Sequence, residues 1–151
     1  VSEEKGEAAQ SADLDCLIDI SVNAHIPESY VESLTLRLDV YRRIADIRNK
    51  EDSLDVKDEL KDRFGEIPES VLGLIDIALI RNCANAMGIY EIRQTDTNVL
   101  LFVKEIKSPK VIELLSRLNG RAMLSAGNKP YITIRCGGGS SLDMLKKVFK
   151  I

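Results

Sequence analysis

The chain is short of the groups that carry most protein chemistry. Its 151 residues contain one histidine, His25, and three cysteines, Cys16, Cys83 and Cys136. No Cys-x-x-Cys pair occurs, which argues against a zinc site or a dithiol redox couple. Three thiols far apart read instead as buried cysteines of a reducing compartment. A single histidine rarely runs catalysis, and His25 is expected at the surface. No apolar run approaches the roughly 20 residues that cross a bilayer, and no signal-peptide pattern opens the chain. The expected location is therefore the cytoplasm, with no membrane partner. Valine is the first residue, so the chain reads as a piece of a longer polypeptide to which part of the function belongs.

One glycine run is present, Gly137-Gly138-Gly139-Ser140-Ser141. A phosphate cradle of the mononucleotide type needs Lys-Ser/Thr after its last glycine, and here two serines follow. The run reads as a turn leading to a helix N-cap, and an ATP site is excluded.

What remains has an ordinary globular composition, 44% hydrophobic and 30% charged, enough for one domain with a proper core. The net charge of −3 conceals an asymmetry. Residues 107–151 carry nine basic and two acidic side chains, whereas residues 16–106 carry eleven basic and seventeen acidic ones. The basic set is Lys107, Lys110, Arg117, Arg121, Lys129, Arg135, Lys146, Lys147 and Lys150. It could follow a phosphate backbone, giving a nucleic-acid-binding accessory domain as the alternative reading. Only Tyr131 and Phe149 are there for stacking, so a mixed solvated surface is favoured.

Periodicity orders the rest. Residues 1–14 are polar and acidic and read as a flexible linker, with a single domain over 15–151. Cys16 to Ile26 alternates like a half-buried strand until Pro27. Ser29 and Glu32 have capping-box spacing ahead of a helix with Leu34, Leu38, Tyr41, Ile44 and Ala45 on one face. A second helix is expected from about Ser53, burying Leu54, Val56, Leu60 and Phe64, and a third, strongly apolar, from Pro68 to Met87. Ile89–Gln94 and Val99–Lys104 form a plausible hairpin, Ser108-Pro109 opens a helix that closes at Gly120, and Arg121–Ser125 and Tyr131–Cys136 are further strands. A last helix begins at Ser140 or Ser141. The expected class is α+β: an N-terminal strand and three-helix cluster, then short, mostly antiparallel strands with two further helices.

The junction Glu59–Val71 is the most specific feature. Gly65 can adopt the left-handed conformation that closes a helix, and Pro68 suits the first turn of the next. Asp62, Arg63 and Phe64 sit at the corner. Carboxylates crowd the helix before it: Glu51, Asp52, Asp55, Asp58, Glu59 and Asp62. Asp55–Glu59 and Asp58–Asp62 repel at i, i+4, while Glu59–Arg63 attract. Such a run is usually a solvated face, and the sharper alternative is a docking edge for a partner's arginines. A hydrolase built on these acids is the weakest reading, since an exposed helix face does not make a cleft of paired carboxylates.

The corner continues an ordered series: Ile26-Pro27-Glu28-Ser29-Tyr30, Arg37, Tyr41-Arg42-Arg43, then Asp62-Arg63-Phe64-Gly65-Glu66-Ile67-Pro68, then Val71, Leu74, Arg81 and Met87-Gly88-Ile89. Over residues 16–90 this series resembles the C-terminal domain of bacterial transcription-repair coupling factor; beyond 90 only the element order agrees. The resemblance implies a parent that is a large ATP-driven DNA translocase, which displaces stalled RNA polymerase and recruits the excision-repair machinery. It implies no catalysis and no cofactor in this domain, ATP and Mg²⁺ serving the parent. The partner it implies is an excinuclease-B-like module of the same parent, with the surface for the excinuclease A subunit hidden. RNA polymerase is then an indirect partner, and DNA is reached through the parent's motor. The interface residues carried over are Glu59 and Asp62, with Arg63 and Phe64 at the same corner.

Overall fold

The computed structural model of the chain describes residues 15–118, 120–136 and 140–151. The expected linker over 1–14 and the glycine turn at 137–139 lie outside the described residues. Two compact units are formed, one from residues up to 20 with 81–141, the other from 21–80 with 142–151.

The first unit is built on a sheet of order β1-β2-β3-β5-β4. Its strands are β1 (Leu17–Asp19), β2 (Ile89–Gln94), β3 (Asn98–Val103), β4 (Ala122–Ser125) and β5 (Tyr131–Arg135). β1 runs parallel to β2, and every other neighbouring pair is antiparallel. The alternation of the first segment is real: Cys16 and Ile26 are buried and the odd positions between them are exposed. Only Leu17–Asp19 pairs in a ladder, however, so the expected long strand is a short one followed by extended chain. Period-two patterning sends Ile92, Val99, Leu101, Val103, Ile132 and Ile134 to one buried face. Helix α4 (Pro109–Arg117) has Pro109 in its first turn and buries Val111 and Leu114; its C-cap is Leu118, two residues before Gly120.

The second unit is helical: α1 (Leu34–Ala45), α2 (Lys50–Phe64), the first part of α3 (Glu69–Met87) and nearly all of α5 (Ser141–Val148). Its core joins Ile26, Val31, Val40, Ile44, Ile47, Val56, Leu60, Val71, Ile75, Ala78 and Leu79. Lys146 of α5 pairs with Asp76 of α3 at 3.2 Å. The α+β class is as the sequence indicates.

Three local expectations are corrected. Helix α1 is capped by Ser33, whose hydroxyl accepts from the Leu36 N–H at 3.3 Å; Ser29 lies instead in a turn where the Tyr30 and Val31 N–H groups donate to the Pro27 carbonyl. Helix α2 begins at Lys50, because Asn49 accepts from the Asp52 N–H at 2.8 Å and Asp52 in turn accepts from the Arg48 N–H. The buried face of α1 is also rotated from the expected one. Val40 and Ile44 are buried, whereas Leu34 is 62% exposed, Leu38 47% and Tyr41 38%. Two apolar stripes at helical spacing share Ile44, and spacing alone does not say which meets the core.

The rotated face gives a direct check. Ile44→Ala should lower stability by about 2–5 kcal/mol through the cavity it opens, while Leu34→Ala should change it by no more than about 0.5 kcal/mol. Urea denaturation distinguishes this from the expected face, which requires comparable losses at both positions.

Candidate functional site

Helix α2 delivers the corner residues, and Tyr30 ties its last turn to the segment that precedes α1. Its hydroxyl donates toward the carbonyls of Leu60 at 3.2 Å and Gly65 at 2.9 Å, and its ring meets Phe64 with centroids 5.7 Å apart. Burial, and then the Glu66 carboxylate, push the Tyr30 hydroxyl above its ordinary range, which keeps it a donor. Gly65 closes the helix with φ 91° and ψ −158°. The positive φ is as the motif requires, but the ψ differs from the left-handed helical value and belongs to a region open essentially to glycine alone. The Pro68 carbonyl then accepts from the Val71 and Leu72 N–H groups and starts α3.

Arg37 and Tyr41 of the same series fix the segment that carries Tyr30. The Arg37 guanidinium donates to the Val31 carbonyl at 2.8 Å and the Glu32 carbonyl at 2.9 Å, closing the turn after Tyr30. The Tyr41 hydroxyl oxygen accepts from the Ile26 N–H at 2.9 Å. Sequence-distant residues of one series thus interlock around the α2 terminus.

The four interface residues divide into two kinds. Glu59 is not a bare carboxylate: Oε1 accepts from Arg43 of α1, and Oε2 accepts from Arg63 at 3.1 Å. The i, i+4 pair with Arg63 was legible in the spacing. The Arg43 pair was not, because it crosses between helices. Arg63 also lies over the Phe64 ring, 4.9 Å from its centroid. Asp62, by contrast, is exposed and makes no ion pair among the described residues. Glu66 and Glu69 of the same corner are likewise exposed carboxylates. Arg43, Asp46, Ile47, Asp52, Asp55 and Val56 line a cavity of about 170 Å³. The remaining acids of the α2 run lie on a largely solvated face.

The other candidates separate. His25 is exposed at its side chain, while its N–H donates to the Ser70 carbonyl. Burial pushes the Cys16 thiol up to about 12 and raises Cys83 and Cys136 as well, which leaves all three poor nucleophiles. Of the basic third, Lys146, Lys147 and Lys150 belong to the helical unit and the rest to the sheet unit, and Arg117 and Lys146 are already paired with Glu113 and Asp76.

Residues 20–113, more than half of the chain and including the whole corner, match the family model described as TRCF domain. The chain belongs to the TRCF domain family. Similar proteins include the transcription-repair-coupling factor of Bacillus subtilis (strain 168), 29% identical over 154 residues that cover 98% of this chain and 13% of that protein. The factor of Staphylococcus epidermidis strain ATCC 12228 is 31% identical over 114 residues, 75% of this chain and 9% of that protein. The chain thus spans about an eighth or less of these relatives. A crystal structure of the C-terminal domain of transcription-repair coupling factor has the same fold, with a TM-score of 0.77, 18% identity, and coverage of 89% of this chain and 88% of that one. The resemblance read from the motif series therefore holds. Within the TRCF domain, β4 and β5 fall beyond the residues that the family model matches.

The ion triad has a pH signature. Hydrogen bonding to Arg43 holds the Glu59 carboxyl below its usual range, and Arg63 acts in the same direction. A depressed carboxyl stabilises the fold above the ordinary glutamate value of about 4.3, and that contribution disappears as pH falls through the depressed value. Stability followed by urea from about pH 6 to pH 3, across that value, should therefore fall more in the wild type than in Glu59→Gln. Equal losses would show that the triad contributes nothing.

Proposed function

We propose that this TRCF domain is a non-catalytic regulatory module of a larger transcription-coupled DNA repair translocase. It docks through the α2 corner on an excinuclease-B-like module of the same parent and masks the surface that would take the excinuclease A subunit. The names of the relatives, and the small fraction of their length that this chain spans, support a role as one part of a coupling factor. ATP and Mg²⁺ serve the parent's motor, through which DNA and RNA polymerase are engaged, and the working compartment is the cytoplasm.

The observation that carries this reading is the contrast at the corner between Glu59, held by two arginines, and Asp62, presented without one on a closed helix end. A fixed carboxylate is a specific acceptor for a guanidinium, because little side-chain freedom remains to be lost on pairing. Glu59 accepts at both oxygens, and its lone pairs allow a partner arginine to join or replace Arg63. Such a contact suits an autoinhibitory clamp. It is polar and salt-sensitive, and it opens without baring a large apolar surface. Arg63 and Phe64 form the stacked shoulder of the contact.

Binding between this chain and the excinuclease-B-like module, measured by calorimetry, should weaken as salt rises. Asp62→Ala should weaken it about tenfold, equivalent to about 1.4 kcal/mol, and should account for most of the loss in the Glu59→Ala/Asp62→Ala double variant. The same double variant in the full-length parent should bind excinuclease A more tightly. Unchanged binding of both partners by the double variant would sink the assignment.

A further inference from the structure

The face of the sheet opposite the buried one has no part in the corner. Register fixes its membership: Asn98, Leu100 and Phe102 of β3 stand opposite Arg135, Thr133 and Tyr131 of β5, and Met123 of β4 stands opposite Thr133. Their neighbours in sequence, Val99, Leu101, Ile132 and Ile134, are buried on the other face. A row of rings crosses the strands here. Tyr90 and Phe102 have centroids 6.2 Å apart, and Phe102 and Tyr131 are 5.3 Å apart. Arg93 lies over Phe102 at 5.3 Å and is paired with Glu91, so its charge is already met.

Four residues along β5 from Tyr131 lies Arg135, opposite Asn98, and its charge is not met. The β4–β5 ladder ends at Ala122–Ile134, and Arg121 and Arg135 are the residues next to that last pair. Neither guanidinium makes an ion pair among the described residues. Both line one open cavity of about 510 Å³ together with Asn98, Met123, Thr133 and Cys136, and no carboxylate is among the described residues that line it. Met123, 69% exposed, adds an apolar surface beside them. Two cations lining one cavity without a counter-charge call for an anion, and Met123 beside them with Tyr131 four residues along β5 call for flat apolar groups attached to it.

We propose that this face binds single-stranded nucleic acid, with phosphates between Arg121 and Arg135 and bases laid over Tyr131 and Met123. Aromatic side chains on an open sheet face beside a cationic rim accept any base, because each base has a π-face, and the affinity comes chiefly from phosphate contacts. An acidic peptide would satisfy the arginines but would leave the ring row without a matching partner. This proposal is independent of the docking corner, which shares none of these residues.

The test is fluorescence anisotropy of a labelled oligothymidylate of about 16 nucleotides, with the whole chain and varied salt. Binding at low salt is expected, with Kd on the order of 10–100 µM, and Arg121→Ala or Arg135→Ala should each flatten the log Kd against log salt slope by about 0.7. Tyr131→Ala should weaken binding about tenfold, and Lys147→Ala should leave it unchanged. The urea midpoints of Arg121→Ala and Arg135→Ala should stay close to that of the wild type, since neither guanidinium has an ion-pair partner among the described residues to lose. Absence of binding at high micromolar protein in low salt overturns the proposal. So does wild-type binding by the arginine variants, or a polyglutamate peptide or a duplex that binds as tightly as the single strand.

Discussion

The end of α2 is closed from outside the helix, and the corner depends on that closure. The Tyr30 hydroxyl stands between the carbonyls of Leu60 and Gly65, and its ring supports Phe64. A helix end has several unsatisfied carbonyls, and left to solvent it frays. Here the fraying turn is tied to a residue thirty or more positions earlier in the chain, and the segment that carries Tyr30 is itself fixed by Arg37 and by the Ile26–Tyr41 bond. Glycine at position 65 is what lets the chain leave the helix in a direction other residues cannot take. The result is a helix end, carrying Asp62, whose backbone is held in a defined place.

Charge at this corner is organised rather than accumulated. Six acids in the α2 run suggest a broadly negative edge, yet Arg43 and Arg63 withdraw Glu59 from it. Exposed pairs of this kind contribute at most about 1 kcal/mol each to stability, so their larger consequence is orientation. Arg63 is fixed over Phe64 and Glu59 between two guanidiniums, while Asp62 is exposed without an ion-pair partner among the described residues.

Much of this was legible in the sequence, and the limits are physical. Helices and strands followed from spacing and from the punctuation at Pro27, Gly65, Gly88 and Pro109. Motif residues identified the family because they interlock, so each constrains the others. Two kinds of information were missing. The buried face of α1 could not be chosen, since stripes through Leu34–Leu38–Tyr41 and through Leu36–Val40–Ile44 both have helical spacing, and only tertiary packing decides between them. Contacts between elements were invisible as well. Arg43 was present in the motif, but nothing in spacing pairs it with Glu59 sixteen residues away, and nothing brings Arg121 and Arg135 to one cavity until the β4–β5 pairing is known.

The central claim is that a hydrogen-bonded closure of α2 presents the docking carboxylate. Tyr30→Phe tests it most directly, because it removes the hydroxyl and keeps the ring. Its affinity for the excinuclease-B-like module should be measured together with amide exchange at residues 62–66. The account predicts a folded chain that has lost about 1 kcal/mol of stability, faster exchange confined to the corner, and weaker docking although Asp62 is untouched. Wild-type exchange at the corner together with wild-type affinity would contradict it.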